Sequence, residues 1–113
     1  MSVLSIRAHK RFAVRHRVRL SASGEHPIKG MLIEVSKGGC RISNLEGVEY
    51  TVGSPLAVKF DGLEDVHGEV RSCREGVVGV RFRQPLHIAC LDQLLRACRG
   101  EEGQLNDLRH AYS

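Results

Sequence analysis

Short stretches in which hydrophobic and polar residues alternate recur along this chain of 113 residues. In the first of them, Val14, His16, Val18 and Leu20 fall on one face of an extended segment, and three arginines fall on the other. A period of two is typical of a strand with one buried face. The pattern therefore predicts a β-strand that begins at about Val14.

Further extended segments follow, separated by turn residues. Glu75 and Gly76 lie between VHGEVRSCR and VVGVRFR, where a glycine permits the positive φ angle of a tight hairpin. About six short strands joined by turns, with no helix between them, predict an all-β fold, a six-stranded antiparallel β-barrel. In two of the other segments, alternation predicts which residues face inward. These residues are Met31, Ile33 and Val35 in KGMLIEVS, and Leu56, Val58 and Phe60 in LAVKF.

The period changes after Pro85, where apolar residues recur every three or four positions. This spacing predicts an amphipathic C-terminal α-helix at about residues 86–99, with Pro85 near its start and Gly100 at its end. Residues 1–12 are basic without hydrophobic periodicity, so we expect a mobile arm there and a single domain over 13–113. The helix stripe comprises Ile88, Leu91, Leu94 or Leu95, and Cys98, and a second, weaker helical segment contains Leu105, Leu108 and Ala111.

Positive charge is concentrated in the first third of the chain. The first 41 residues carry nine Lys or Arg and two acidic residues, whereas the remaining residues carry eight and eleven. The stretch HKRFAVRHRVRL alone has five Lys or Arg and no acid. Such a concentration of cations indicates an anionic partner, which can be a phosphate ligand, a nucleic acid or a lipid surface.

The chain lacks the common signatures of enzymes and metal proteins. Its six histidines show no HxxxH or HExxH spacing, and there is no GxSxG, Walker or GxGxxG motif. We therefore expect a protein that is not an enzyme and has no metal or cofactor. The four cysteines form no CxxC pair, and no apolar run approaches the roughly 20 residues of a membrane span. A cytoplasmic protein with reduced thiols is the expectation.

Two short motifs carry the candidate chemistry. Arg11 and Arg15 form an RxxxR pair, and a guanidinium group can bind a phosphate through two hydrogen bonds, contact the guanine edge or stack on a purine. Ser36 and Gly39 belong to a turn after a strand, which can direct backbone N–H groups and a hydroxyl towards an anion. Two residues before Ser36, the carboxylate of Glu34 complements the N1–H and N2 donors of guanine.

An RxxxR arm that enters a six-stranded barrel and is followed by an acidic-x-Ser-x-x-Gly turn resembles the PilZ domain family. The segment VGVRF, with Gly79, Val80 and Phe82, is similar to the last strand of that family, and a helix follows at the same place. The resemblance covers residues 10–99. It implies a bacterial receptor for the second messenger cyclic di-GMP that has the barrel-and-helix fold and acts on a downstream partner protein.

The resemblance also implies roles for individual residues. Arg11 and Arg15 would clamp phosphate and guanine, Ser36 and Gly39 would supply the contacts of the turn, and Glu34 would accept the guanine N–H groups. The family has Asp or Asn where this chain has Glu34, so the carboxylate stands one methylene further from the backbone. Arg17 and Lys37 are further candidates for ligand binding, without a motif position.

Two alternatives remain open from the sequence. One is a PilZ-like interaction module that binds no nucleotide, and the other is a small basic barrel that binds RNA or DNA. Barrels that bind single strands present exposed aromatic side chains on which bases stack. Aromatic residues are 4% of this chain, and Phe60 and Phe82 fall at core-facing positions, which disfavours nucleic acid as the partner.

Overall fold

A computed structural model describes residues 10–60 and 62–109 of the chain. It has six strands and one helix, which confirms the predicted all-β barrel with a C-terminal helix. Residues 1–9 of the predicted arm lie outside the described residues, and Phe12, its last residue, is the first residue of a strand. In chain order the elements are β1 (Phe12–Ser21), β2 (Ile28–Val35), β3 (Gly39–Asn44), β4 (Pro55–Lys59), β5 (Val66–Arg74), β6 (Val77–Phe82) and α1 (Ile88–Arg109).

The strands form a closed antiparallel barrel in the order β1-β2-β3-β6-β5-β4. β1 pairs with β2 along most of its length and closes the barrel through a shorter pairing with β4, in which Arg19, Leu20 and Ser21 are opposite Lys59, Val58 and Ala57. Closure satisfies the backbone hydrogen-bonding groups that an open sheet leaves exposed at its edges. It also brings the basic first strand next to a strand some 40 residues later in the chain.

Alternation explains which side chains form the core of the barrel. Of the predicted inward row of β1, His16, Val18 and Leu20 are buried and Val14 is half-buried against the core. Arg15, Arg17 and Arg19 are exposed. The predicted inward row of LAVKF is confirmed too, since Leu56 and Val58 of β4 and Phe60 directly after it are all buried. The core therefore consists mostly of aliphatic side chains contributed by every strand.

The predicted inward face of β2 is partly wrong. Leu32 and Val35 are fully buried, whereas Met31 and Ile33 are only half-buried. The reason is an irregularity in the pairing of β2 with β3 between Leu32 and Glu34. A bulge adds one residue to a strand and resets which face each side chain occupies, so a simple period of two cannot hold across it.

The β5–β6 hairpin has the predicted turn. Glu75 and Gly76 both have positive φ angles, of 54° and 77°, as a type I′ turn requires at its two central residues. The carbonyl of Gly76 also accepts a hydrogen bond from the backbone N–H of Asn44 at 2.7 Å, which ties this turn to the end of β3.

Helix α1 begins after His87, whose ring Nδ1 accepts a hydrogen bond from the N–H of Ala89 at 3.1 Å. Leu91, Leu94 and Cys98 are buried and belong to the core, in agreement with the predicted stripe, and the helix contacts β1. Ile88 is the exception at 65% exposed, because it is the first residue of the helix and precedes the buried stretch.

The helix does not end at Gly100 but continues to Arg109 as one element. It thereby includes Leu105 and Leu108 of the predicted second segment, while Ala111 lies outside the described residues. A glycine inside a helix costs only about 1 kcal/mol relative to alanine, so the glutamates and leucines that follow can continue the helix. Within the described residues, no helix is both long and apolar enough to traverse a lipid bilayer.

The four cysteines differ in burial. Cys40 and Cys98 are buried, Cys73 is half-buried and Cys90 is exposed. Burial raises the pKa of the Cys40 thiol, which stays neutral and packs as a small apolar side chain.

Candidate functional site

The serine of the β2–β3 turn stabilises the turn itself. The Ser36 N–H donates to the carbonyl of Gly39 at 2.8 Å, and the Gly38 N–H donates to the Ser36 hydroxyl oxygen at 3.2 Å. The hydroxyl also donates weakly to the Gly39 carbonyl, at 3.4 Å. A serine side chain that binds the backbone in this way favours a turn over continued strand. The first role of Ser36 is therefore to hold the backbone conformation of residues 36–39.

The same turn is anchored to the end of β6 and to the segment that follows it. The carbonyl of Gly38 accepts a hydrogen bond from the Phe82 N–H at 2.9 Å, and the carbonyl of Lys37 accepts one from the Leu86 N–H at 2.7 Å. Two consecutive carbonyls of the turn are thus bound by a part of the chain more than 40 residues away in sequence. These contacts hold the turn rigidly against the barrel.

Gly39 has a packing reason to be glycine. A Cβ atom added at this position would lie 2.4 Å from the carbonyl oxygen of Val80 in β6. The neighbour is backbone in a paired strand, so it cannot move away cheaply. Only glycine lets the turn approach β6 this closely.

The RxxxR pair and the turn lie side by side. In the β1–β2 pairing, Phe12 is opposite Val35 and Ala13 is opposite Glu34, so the start of β1 is next to the residues that lead into the turn. The guanidinium of Arg11 forms an ion pair with the Glu34 carboxylate at 3.5 Å, and the two side chains are 46% and 27% exposed. The structure therefore brings Arg11 and Glu34 into contact.

The other sequence-predicted residues are more loosely grouped. Arg15 is exposed and lies within the irregular β1–β2 pairing between Ala13 and His16. Lys37 is half-buried in the turn. Arg17 is exposed and opposite Met31, further along β1 than the stretch that pairs with the end of β2. The structure thus assembles the start of β1 and the turn, and leaves Arg17 outside this group.

Two basic residues near the turn were missed by the sequence reasoning. Arg41 in β3 is directly opposite Glu34 and exposed, so Glu34 has cations on two sides. Lys10 lies over the ring of Phe12, with Nζ 5.3 Å from the ring centroid, at a distance typical of a cation–π contact. The alternation of CRIS, with Cys40 and Ile42 inward, is the sequence signal that could have identified Arg41 as an outward cation.

The site therefore combines a fixed turn with the Glu34 carboxylate, which pairs with Arg11 and lies opposite Arg41. Its guanidinium groups can bind phosphates and its carboxylate can accept N–H donors.

No curated protein matches the chain in a sequence comparison. The family model of the PilZ domain matches residues 5–100.

A search of solved structures finds a Bacillus subtilis protein described as inhibitor of motility, MotI/DgrA. The match has a TM-score of 0.61 and 18% sequence identity, and it covers 89% of this chain. The chain spans about half the length of that protein, 52% of which is covered. At this identity the likeness concerns the fold.

Proposed function

Because the chain belongs to the PilZ domain family, a family of receptors for cyclic di-GMP, we propose that it binds this dinucleotide and passes the signal to a partner protein. PilZ domains are binding and adaptor modules rather than enzymes. Arg11 and Arg15 would clamp a phosphate and a guanine, and the turn that contains Ser36 and Gly39 would support the other side of the ligand. Glu34 would accept the guanine N1–H and N2 hydrogens, and the protein would act in the bacterial cytoplasm.

The observation that carries this proposal is the contact between its two motifs. Arg11 and Glu34 are 23 positions apart in sequence, yet their side chains are 3.5 Å apart beside an anchored turn. A ligand with phosphates and guanine edges presents acceptors for the arginines and donors for the carboxylate. The arrangement provides both complementary groups within one small area.

The ion pair between Arg11 and Glu34 does not prevent binding. Both side chains are partly exposed, and exposed ion pairs contribute only about 0–1 kcal/mol. Hydrogen bonds from a guanidinium to phosphate contribute about 1.5–3 kcal/mol each. A ligand phosphate can therefore draw Arg11 away from Glu34 with a net gain, and this releases the carboxylate for guanine.

Isothermal titration calorimetry with cyclic di-GMP tests the proposal. We expect saturable heat with cyclic di-GMP, and weaker or no heat with GTP and cyclic AMP, which lack the two linked guanine nucleotides. Absence of both heat and a thermal shift at about 100 μM ligand, where a Kd of 1 μM would give near saturation, would reject the receptor function.

A second candidate function is an interaction module that binds no nucleotide. Two observations favour it: Glu34 stands where the family has Asp or Asn, and its carboxylate already neutralises Arg11. A longer side chain in a rigid site can displace a contact beyond the roughly 0.5 Å that ligand recognition tolerates. If Glu34→Asp binds cyclic di-GMP while the parent protein does not, this second function is the correct one.

A further inference from the structure

Three basic residues form a row across the outer surface of the barrel, away from the 36–39 turn. Arg19 in β1 is directly opposite Lys29 in β2 on one side and directly opposite Lys59 in β4 on the other. Arg19 and Lys29 are exposed, and the Lys59 side chain is 38% exposed. Directly opposite residues of antiparallel strands have Cβ atoms about 4.5–5.5 Å apart, so the three cations are close neighbours. We call Arg19, Lys29 and Lys59 the basic row.

The described residues neutralise the charge of the basic row only in part. Lys59 forms an ion pair with Asp65 at 3.0 Å. Among the residues that the structure describes, no carboxylate lies within 4.0 Å of the charged groups of Arg19 or Lys29. Like charges directly opposite one another destabilise a sheet, and any neutral β-forming residue at position 19 would avoid this. The row therefore suits an anionic group supplied from outside the chain.

Both ends of the row are bounded by acidic residues. At one end the carboxylate of Asp65 lies on Lys59, and at the other end a carboxylate oxygen of Glu46 accepts a hydrogen bond from the backbone N–H of Lys29 at 2.8 Å. Across the strands the positive area is thus only three strands wide, whereas along β1 it continues through the exposed Arg17. A continuous phosphate backbone that ran across the strands would meet these carboxylates, whereas a short run of acidic side chains would not.

The surface beside the row is also suited to protein rather than nucleic acid. Met31, whose partner in β1 is Arg17, is half-buried and offers an apolar contact next to the row. On the other side are the small residues Ser21 and Ala57, which are opposite each other. The strand residues of this surface include no aromatic side chain on which a base could stack.

We propose that the basic row is a docking site for a short acidic segment of a partner protein. The carboxylates of such a segment would pair with Arg19 and Lys29, and its apolar side chains would lie against Met31. Complementary charges of this kind accelerate association and fix the register of the two partners. The docking site does not depend on nucleotide binding, because no residue of the basic row belongs to the Arg11–Glu34 ion pair or to the 36–39 turn.

Fluorescence anisotropy with a labelled peptide of alternating glutamate and alanine tests the proposal on the full chain. The comparison is between Arg19→Glu/Lys29→Glu and a matched control, Arg71→Glu/Arg74→Glu, which reverses the charge of two exposed arginines on β5. We expect the row variant to lose about tenfold or more in affinity for the peptide, while the control stays within about twofold of the parent. If the charge-reversal variant does not fold, Arg19→Gln/Lys29→Gln serves as a second variant that only removes the charges. It should also bind the peptide more weakly than the parent protein does.

Three results would overturn the proposal. The first is equal loss of affinity in the row variant and the β5 control, which would mean that only net charge matters. The second is absence of saturable binding to the parent protein at about 1 mM peptide. The third is tighter binding of a short DNA duplex than of the peptide, with the same loss in the row variant, which would assign the row to nucleic acid.

Discussion

The 36–39 turn and the segment 10–15 lie beside each other, but they are held in different ways. The turn has hydrogen bonds within itself and two more, to Phe82 at the end of β6 and to Leu86 before the helix, and Gly39 packs against β6. Arg11 is held by one ion pair at 3.5 Å, and Arg15 is an exposed side chain in an irregular part of β1. The turn half of the candidate site is therefore preorganised, and the arginine half is adjustable.

Because of this difference, we expect the two halves to lose different amounts of conformational entropy when a ligand binds. A preorganised turn loses little conformational entropy on binding, because folding has already ordered it. An arginine side chain that becomes ordered on binding loses rotamer entropy worth up to about 2 kcal/mol, so its new contacts must contribute more than this. We therefore expect substitutions in the arginine half to change binding and substitutions in the turn half to change stability.

The largest effect is expected from Arg11→Ala/Arg15→Ala. If each arginine contributes a charge-assisted hydrogen bond worth about 1.5–3 kcal/mol, the double variant loses about 3–6 kcal/mol of binding energy to cyclic di-GMP, at least a hundredfold in Kd. Calorimetry measures the affinity, and thermal unfolding of the ligand-free protein should show a nearly unchanged Tm because the side chains are exposed.

Arg71→Ala/Arg74→Ala is the matched control for that variant, since it removes two exposed arginines from β5. It should bind the dinucleotide as the parent does. A large drop in Tm on removing Arg11 and Arg15 would contradict the distinction between the halves, because it would make these arginines structural.

Gly39→Ala tests the fixed half. The added Cβ would lie 2.4 Å from the Val80 carbonyl oxygen, and overpacking against backbone costs about 1–3 kcal/mol. We expect a loss of unfolding free energy near the upper end of that range, measured by urea denaturation. Ser36→Ala, in the same turn, removes only the hydroxyl contacts to Gly38 and Gly39 and should cost about 0.5–1.5 kcal/mol. Parent-like stability of Gly39→Ala would show that the turn can shift, and that it is not preorganised.

Glu34 connects the two halves, and its substitution is expected to change binding less than removal of the two arginines. Glu34→Ala should weaken cyclic di-GMP binding by about 1–2 kcal/mol, because guanine donors lose their acceptor while only an exposed ion pair is removed from the free protein. Glu34→Asp should retain or improve the affinity, and Glu34→Gln should lie between the two. If Glu34→Ala binds as tightly as the parent, the carboxylate does not read guanine, even where the arginine clamp is intact.

Much of the fold could be predicted from local patterns. The buried rows of β1 and β4 follow from alternation, and the β5–β6 turn follows from Glu75 and Gly76, because both signals depend only on neighbouring residues. The inward face of β2 could not be predicted in full. Its bulge depends on how β2 pairs with β3, and pairing is a property of two segments rather than one.

The candidate site divides in the same way. The sequence by itself determined the chemistry available, namely an RxxxR pair and an acidic-x-Ser-x-x-Gly turn, because residue types and spacing are visible in the chain. The tertiary structure alone decided that Glu34 contacts Arg11, that the turn is bound by Phe82 and Leu86, and that Arg19 is between Lys29 and Lys59. Each of these contacts joins residues at least ten positions apart, and their proximity comes from strand register and barrel closure, which no local pattern encodes.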